Sequence, residues 1–256
     1  MLIVLSPTKT LKPVPVKENR KYSTPEFLNK SEQLVKELRE FTVQELTTVM
    51  NISPKLAQLN YERYKNWKLP FTADSAYPAL FTFKGEVFIG LDADTLNDGD
   101  IDFARKHLRI LSGLYGVLRP MDFIMPYRLE MGTRYPFSGR KNLYEFWKET
   151  ITKAIHNALS QQNDEILINL ASNEYFKSIN IKLLKAQIIT PEFKEYKNGT
   201  YKTVTIYTKK ARGLMARFIL QNRISNPEEL KLFDDDGYFF NPELTKNNFH
   251  PVFTRG

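Results

Sequence analysis

Ile166-Leu167-Ile168-Asn169-Leu170-Ala171 is an apolar run with one polar interruption, and Ser172-Asn173-Glu174 follows it directly. A run this short and this apolar suits a strand buried on both faces, as in sheets covered by helices. The polar triplet then opens a short helix through Tyr175 and Phe176. The N-terminus has the same pattern, since Met1-Leu2-Ile3-Val4-Leu5 runs into Ser6-Pro7-Thr8-Lys9. This stretch reads as a first strand, being too short and lacking the basic flank of a signal peptide. In open α/β sheets, ligands collect beyond the carboxyl ends of the strands. Two readings of these strand-end turns stay open. They are an ordinary loop start at Ser6-Pro7 and an ordinary N-cap at Ser172, or they share one crevice in which Lys9 meets a phosphate.

Outward from these strands, helical spacing marks Ser31 to Phe41, Val43 to Met50, and a helix opened by Ser53-Pro54, where serine caps and proline occupies the first helical position. It continues from Asp100 to Leu111, Asn142 to Leu159, and Lys209 to Arg223. Ala79 to Gly90 holds two β-rich runs about Lys84-Gly85, which predicts a hairpin with Lys84 at its tip. Asn198-Gly199, flanked by Gln187 to Glu195 and Tyr201 to Thr208, is the strongest hairpin signal. Gly237 to Phe240 reads as a late strand before a polar tail, and Thr8 to Thr24 as an irregular basic loop. No repeat and no linker divides the chain, so residues 1–256 are expected to form one α/β (mixed α+β) domain, a mixed sheet flanked by helices.

The 256 residues carry 37 Lys+Arg against 29 Asp+Glu, a net charge of +8, with no cysteine. Disulfides, thiolate metal sites and a cysteine nucleophile are thereby excluded. No apolar run approaches the roughly 20 residues needed to span a bilayer, so a cytoplasmic protein without a membrane partner is expected. The charge is segregated. Lys194 to Arg223 has eight basic residues against Glu195, Arg105 to Arg134 has six against two acidic ones, and Lys84 to Asp102 is strongly acidic. Such a surplus attracts nucleic acid, anionic lipid or phosphorylated small molecules, while exposed lysines also serve solubility alone.

Three segments carry candidate chemistry. Arg109 to Pro120 joins a predicted helix to a turn with Gly113 and Gly116, a pattern that presents backbone N–H groups to nucleic-acid phosphate or simply ends a helix. Lys209-Lys210-Ala211-Arg212-Gly213-Leu214-Met215-Ala216-Arg217 places positive charge in a predicted first helical turn, against the macrodipole, which a bound anion would relieve. Glu130 and Glu174 are the best general acid or base candidates. His107, His156 and His250 lack metal-ligand spacing, and the glycine-rich phosphate loops and the nucleophile elbow are absent. No cofactor and no metal is expected. The acidic residues Asp92, Asp94, Asp98 and Asp100 read as a solvated turn, since their spacing does not suit a calcium loop.

Leu2 to Leu11 (LIVLSPTKTL), His107 to Asp122 (HLRILSGLYGVLRPMD), Pro126 to Gly132 (PYRLEMG), Ile168 to Lys177 (INLASNEYFK) and Lys209 to Arg217 (KKARGLMAR) resemble the bacterial peroxide-stress YaaA family, nearly end to end. The resemblance implies a cytoplasmic role in the hydrogen-peroxide response, with low unincorporated iron and less oxidative damage to DNA. It further implies DNA binding, duplex and other, without strong sequence preference, through a basic cleft and a helix-hairpin-helix-like element. Carried over by position, the hairpin element is Arg109 to Pro120, with Arg109, Gly113, Tyr115, Gly116 and Arg119 at the DNA. The cleft residues are Lys9, Lys84, Arg128, Lys177, Lys209, Lys210, Arg212 and Arg217. The resemblance supplies no catalytic reaction. The alternative expectation is an enzyme whose cleft takes a small anionic ligand, namely a nucleotide, a damaged base or another phosphorylated molecule.

Overall fold

A computed structural model describes residues 1–17 and 20–256. The principal sheet has five strands in the order Gly116–Leu118, Leu108–Ser112, Leu2–Leu5, Ile166–Leu170, Gln187–Ile189. Leu2–Leu5 lies at its centre and pairs in parallel on both sides, Ile3 standing opposite Leu108 and Ile168. Its four residues are wholly buried, which explains why a polar alternation is missing from this strand. Gly116–Leu118 is antiparallel and closes one edge. The helices Asp98–His107, Leu143–Gln161 and Thr205–Asn222 flank the sheet. The fold is thus a single α/β domain in which one apolar cluster extends from Met1 to Phe253.

A second sheet holds Thr200–Lys202, Glu192–Lys197, Val252–Arg255 and Phe239–Phe240 in that order. Its hairpin turns at Asn198 (φ 53°) and Gly199 (φ 77°), the two left-handed positions that an Asn-Gly pair accepts most readily. Local signals elsewhere hold as well. Ser53 Oγ accepts the Leu56 N–H ahead of Pro54–Asn66, Thr42 and Glu45 form a reciprocal capping box, and Asn142 caps Leu143–Gln161.

The structure corrects five local expectations. Ala79 to Gly90 forms two short helices, Ala79–Thr82 and Glu86–Leu91, separated by Phe83–Lys84. Lys84 pairs with Thr10 in a two-residue ladder and is no hairpin tip. The helix expected to reach Leu111 stops at His107, where Leu108–Ser112 turns extended to pair with the first strand. The expected strand from Tyr201 to Thr208 ends at Lys202, and the following helix starts at Thr205. Lys209 and Lys210 therefore lie in its second turn, where the macrodipole argument loses its force. The polar tail ends in Val252–Arg255, which pairs in parallel with Glu192–Lys197 inside the second sheet. Within the Thr8 to Thr24 segment only Thr10–Leu11 forms a strand, and Glu18 and Asn19 lie outside the described residues.

Candidate functional site

A cavity of about 290 Å³ opens where Leu2–Leu5 and Ile166–Leu170 end. The two strand-end turns are its floor, and they are joined: Ser6 Oγ accepts the Ser172 N–H at 2.8 Å, and its own hydroxyl donates to Ser172 Oγ at 3.2 Å. The shared crevice is therefore real, at the place where parallel strands leave room for a ligand.

One wall is the segment from Tyr127 to Glu130. Tyr64 donates its hydroxyl to the Arg128 carbonyl, and the Tyr127 hydroxyl shares a 2.6 Å hydrogen bond with Ser112 Oγ. A Cβ on Gly113 would meet the Leu129 carbonyl oxygen at 2.2 Å, so only glycine lets this wall lie against the sheet. Glu130 then sits between two cations, 2.8 Å from Lys9 Nζ and 2.7 Å from Arg128 Nη2. Glu174 Oε1 accepts the Gly132 N–H at 2.9 Å. Both carboxylates nominated for proton transfer thus also act as fixed acceptors that hold the wall. Lys9, Arg128, Glu130 and Glu174 continue into an adjoining cavity of about 640 Å³.

The opposite wall comes from the Thr205–Asn222 helix, and its position depends on two glycines. A Cβ on Gly213 would lie 1.8 Å from the Val87 carbonyl oxygen, and one on Gly90 would lie 2.2 Å from that of Lys210. The helices Glu86–Leu91 and Thr205–Asn222 therefore touch backbone to backbone. That approach carries Lys209 and Arg212 into the cavity lining. Arg212 is largely buried, its Nε has no hydrogen-bond partner, and no carboxylate lies within ion-pair distance among the described residues. Burial pushes its guanidinium below the ordinary arginine range. A desolvated cation without a counter-charge is costly, and an anion in the cavity would offset that cost. The lining holds Lys9, Lys84, Arg128, Lys209 and Arg212 against Glu86, Glu130 and Glu174, an excess of two positive charges.

Five of the residues nominated for DNA contact meet here, Lys9, Lys84, Arg128, Lys209 and Arg212, together with Glu130 and Glu174. The others do not. Arg109 to Pro120 is no helix-hairpin-helix element: Leu108–Ser112 and Gly116–Leu118 form an antiparallel hairpin with Ile110 opposite Leu118 and Ser112 opposite Gly116. Gly113, Tyr115 and Gly116 are buried. Trp147 donates its Nε1–H to the Gly113 carbonyl at 2.8 Å, and its ring lies 2.8 Å from where a Gly116 Cβ would be. No backbone N–H of this turn can therefore reach a phosphate outside. The glycines signal a tight packed turn (Gly116 φ +71°), a role that sequence alone does not separate from anion binding. Arg109 donates to the carbonyls of Arg105 and Leu108 at 3.0 and 2.8 Å, ending the Asp98–His107 helix. Burial, with Arg119 nearby, pushes it down to about 10. Arg119 lies 2.9 Å from Asp122, and both arginines line a separate cavity of about 140 Å³.

Lys210 pairs with Asp236 at 3.2 Å. Arg217 donates to the carbonyls of Leu91 and Asp92 at 3.2 and 2.9 Å, sealing the end of the Glu86–Leu91 helix. Lys177 is exposed and outside the cavity lining. Sequence reading missed Gly90 and Gly213 as site-building residues. A glycine within each helix is the signal that was available.

A mainly parallel α/β sheet, flanked by helices and with a cationic cavity beyond its strand ends, places this chain in the open-sheet class of α/β folds. The chain belongs to the family described as peroxide stress protein YaaA, which matches residues 1–244. UPF0246 proteins from Aliivibrio fischeri strains MJ11 and ES114 are each 51% identical to it over 243 residues, covering 94% of this chain and 93% of theirs. No helix is long and apolar enough to cross a membrane among the described residues.

Proposed function

We propose that this chain protects DNA during peroxide stress in the cytoplasm by holding nucleic-acid phosphate at the mouth of the Arg212 cavity, without sequence preference. The proposal includes the lower level of unincorporated iron that the family resemblance implies. The observation that carries it is Arg212, a half-buried side chain whose Nε is buried without a hydrogen-bond partner and which has no carboxylate within ion-pair distance among the described residues, in a lining with surplus positive charge. Arginine's planar fork suits phosphate oxygens, and exposed Lys9 and Lys209 stand beside it. Contacts of this kind follow the backbone and carry affinity rather than base readout. The test is a fluorescence-anisotropy titration of unrelated duplexes at several salt concentrations. Affinities should agree across sequences and fall by about 0.9 log units per log of salt for each phosphate contacted. Lys209→Ala with Arg212→Ala should abolish binding while circular dichroism is preserved, and binding that persists in that double variant rejects the reading. In cells, the same variant should raise unincorporated iron measured by electron paramagnetic resonance.

A second reading is favoured by the shape of the site. A concave cavity with three carboxylates and the Ser6–Ser172 pair is more detail than backbone tracking requires. In that reading, the cavity takes a nucleotide or another phosphorylated small molecule and acts on it. Glu174→Ala separates the two. Turnover lost with ligand retained supports an enzyme, and unchanged duplex binding with no turnover supports the DNA reading.

A further inference from the structure

Two cations of the Arg212 cavity have no acidic partner, and they stand together. Lys209 and Arg212 are three residues apart in the Thr205–Asn222 helix, so they share a face, and both line the cavity. Arg212 makes no hydrogen bond and no ion pair among the described residues, and Lys209 pairs with no carboxylate there. Burial is what depresses the Arg212 guanidinium, and no carboxylate counters it. The acids of the lining are occupied elsewhere. Glu130 is held between Lys9 and Arg128, Glu174 accepts the Gly132 N–H, and Glu86 stands in the first turn of the Glu86–Leu91 helix, where the macrodipole favours a carboxylate. The floor supplies a further donor. Ser172 Oγ accepts the Ser6 hydroxyl at 3.2 Å, and its own proton has no acceptor among the described residues.

Which phosphate these groups fit follows from charge, oxygens and size. An internal phosphodiester has one charge and two free oxygens, with chain on both sides. A terminal phosphate monoester carries about −1.5 to −2 near pH 7, offers three strong acceptor oxygens, and has chain on one side only. Arg212, Lys209 and Ser172 are three donor groups for three oxygens, and the two unpartnered cations match the second charge. The cavity, about 290 Å³, lies at the lower limit of small-molecule sites, ~300 Å³. It therefore holds one nucleotide-sized unit, whereas an intact duplex presents its phosphates on a surface too broad to enter. Leu129, Leu170 and the buried Tyr127 and Tyr175 rings complete the lining, an apolar contact that suits a nucleoside and that phosphate alone does not need. The adjoining cavity of about 640 Å³ shares Lys9 and Arg128 with this one and leaves room for a strand behind such an end.

We propose that the interior of the Arg212 cavity takes a nucleoside phosphate monoester, held by Arg212, Lys209 and Ser172 and carried by a free mononucleotide or by the phosphorylated end of a strand. This rests on the reading of the cavity as a phosphate site and narrows it from backbone to terminal phosphate. The test titrates the full chain, by anisotropy, against internally labelled oligothymidylates about twelve nucleotides long, bearing a 5′-phosphate, a 3′-phosphate or hydroxyls at both ends. A duplex with hydroxyl ends is the fourth probe, and adenosine 5′-monophosphate and adenosine are compared by isothermal titration calorimetry. At least one phosphorylated strand should bind about tenfold or more tightly than the hydroxyl-ended strand, the factor that one charged hydrogen bond supplies. Binding of the mononucleotide with adenosine inert supports the free nucleotide as source, and end preference without it supports the strand end. Arg212→Lys loses the fork, and Lys209→Ala, at an exposed position, loses a charge; each should bring phosphorylated and hydroxyl ends to within about twofold. Lys177→Ala, exposed and outside the lining, should keep the preference, and circular dichroism verifies the fold of each variant. Equal affinity for all strand ends with no binding of the mononucleotide overturns the proposal, as does a phosphate preference that survives in both cavity variants. Duplex binding without end preference leaves the backbone reading standing alone, and end preference without duplex binding leaves this one, so the two failures are distinguishable.

Discussion

Ser6 Oγ accepts the backbone N–H of Ser172 at 2.8 Å, joining residues 166 positions apart. One hydroxyl thereby ties the ends of two adjacent parallel strands and sets the floor of the cavity. Ser6→Ala leaves the Ser172 N–H without that acceptor and should cost about 1–3 kcal/mol. Urea denaturation checks the loss, and duplex titration should show weaker binding because Lys9 follows Ser6 by three residues. An unchanged denaturation midpoint would show that water replaces the hydroxyl without cost.

Arg212 predicts a conflict between stability and binding. Arg212→Met replaces a half-buried cation, which has no carboxylate within ion-pair distance among the described residues, with an apolar chain of similar length, so the free protein should melt higher, by about 2–4 °C per kcal/mol gained. Binding of phosphate-bearing ligands should be lost. Arg212→Lys should also bind weakly, because it keeps the charge and loses the fork. Differential scanning calorimetry in phosphate-free buffer checks the first point and anisotropy the second; a lower melting temperature in the methionine variant would contradict this account.

Gly213→Ala drives a Cβ towards the Val87 carbonyl oxygen, 1.8 Å away. Two helices must separate, at a cost of about 3 kcal/mol or more. The expected result is a large drop in denaturation midpoint, and a midpoint near wild type would mean that the crossing yields easily.

Arg109 separates the observed hairpin from the helix-hairpin-helix expectation. Arg109→Ala removes a donor to three carbonyls where the Asp98–His107 helix passes into the next strand, those of Arg105, Lys106 and Leu108, and should lower stability by about 1–2 kcal/mol. Duplex affinity, measured under conditions where the variant is folded, should stay within about twofold of wild type, since each 1.4 kcal/mol corresponds to a factor of ten and no contact is removed from the cavity.

His107 sets a pH dependence. Its Nδ1 lies 2.8 Å from the Met1 carbonyl, and its ring stacks on Phe103. Burial lowers its pKa, helped by the Met1 ammonium and Lys106 and opposed by the Met1 carbonyl and Asp164. The folded chain therefore resists protonation more than the unfolded chain does. The stabilisation is present above the ordinary histidine value of about 6.5 and is lost as pH falls from there towards the folded value. Thermal midpoints between about pH 7.5 and 5.5 should decline, and His107→Gln should flatten that part of the curve. Equal slopes in both proteins would remove His107 as the cause.

Much of the fold is legible because its signals are local. Leu2–Leu5 and Ile166–Leu170 announce themselves as uniform apolar runs, Ser53-Pro54 and Asn142 as helix starts, and Asn198-Gly199 as a tight turn. Leu108–Ser112 is not legible, since Leu108 and Leu111 continue the helical spacing of Ile101 and Ala104, and only pairing with Leu2–Leu5 draws the chain out. Val252–Arg255 is hidden for the same reason. Four residues at the chain end become a strand when Glu192–Lys197 offers them partners.

The sequence by itself determined the alternation of strands and helices, the two strand-end turns and the surplus of positive charge, all properties of neighbours along the chain. Tertiary structure alone decided which positive charges are free to work. Arg212 and Arg217 stand on the same helix, yet Arg217 is taken up by the carbonyls of Leu91 and Asp92, whereas Arg212 faces the cavity without a counter-charge. Hydrogen bonds and ion pairs act over a few ångströms, and the carbonyls that take up Arg217 belong to residues 126 and 125 positions away along the chain.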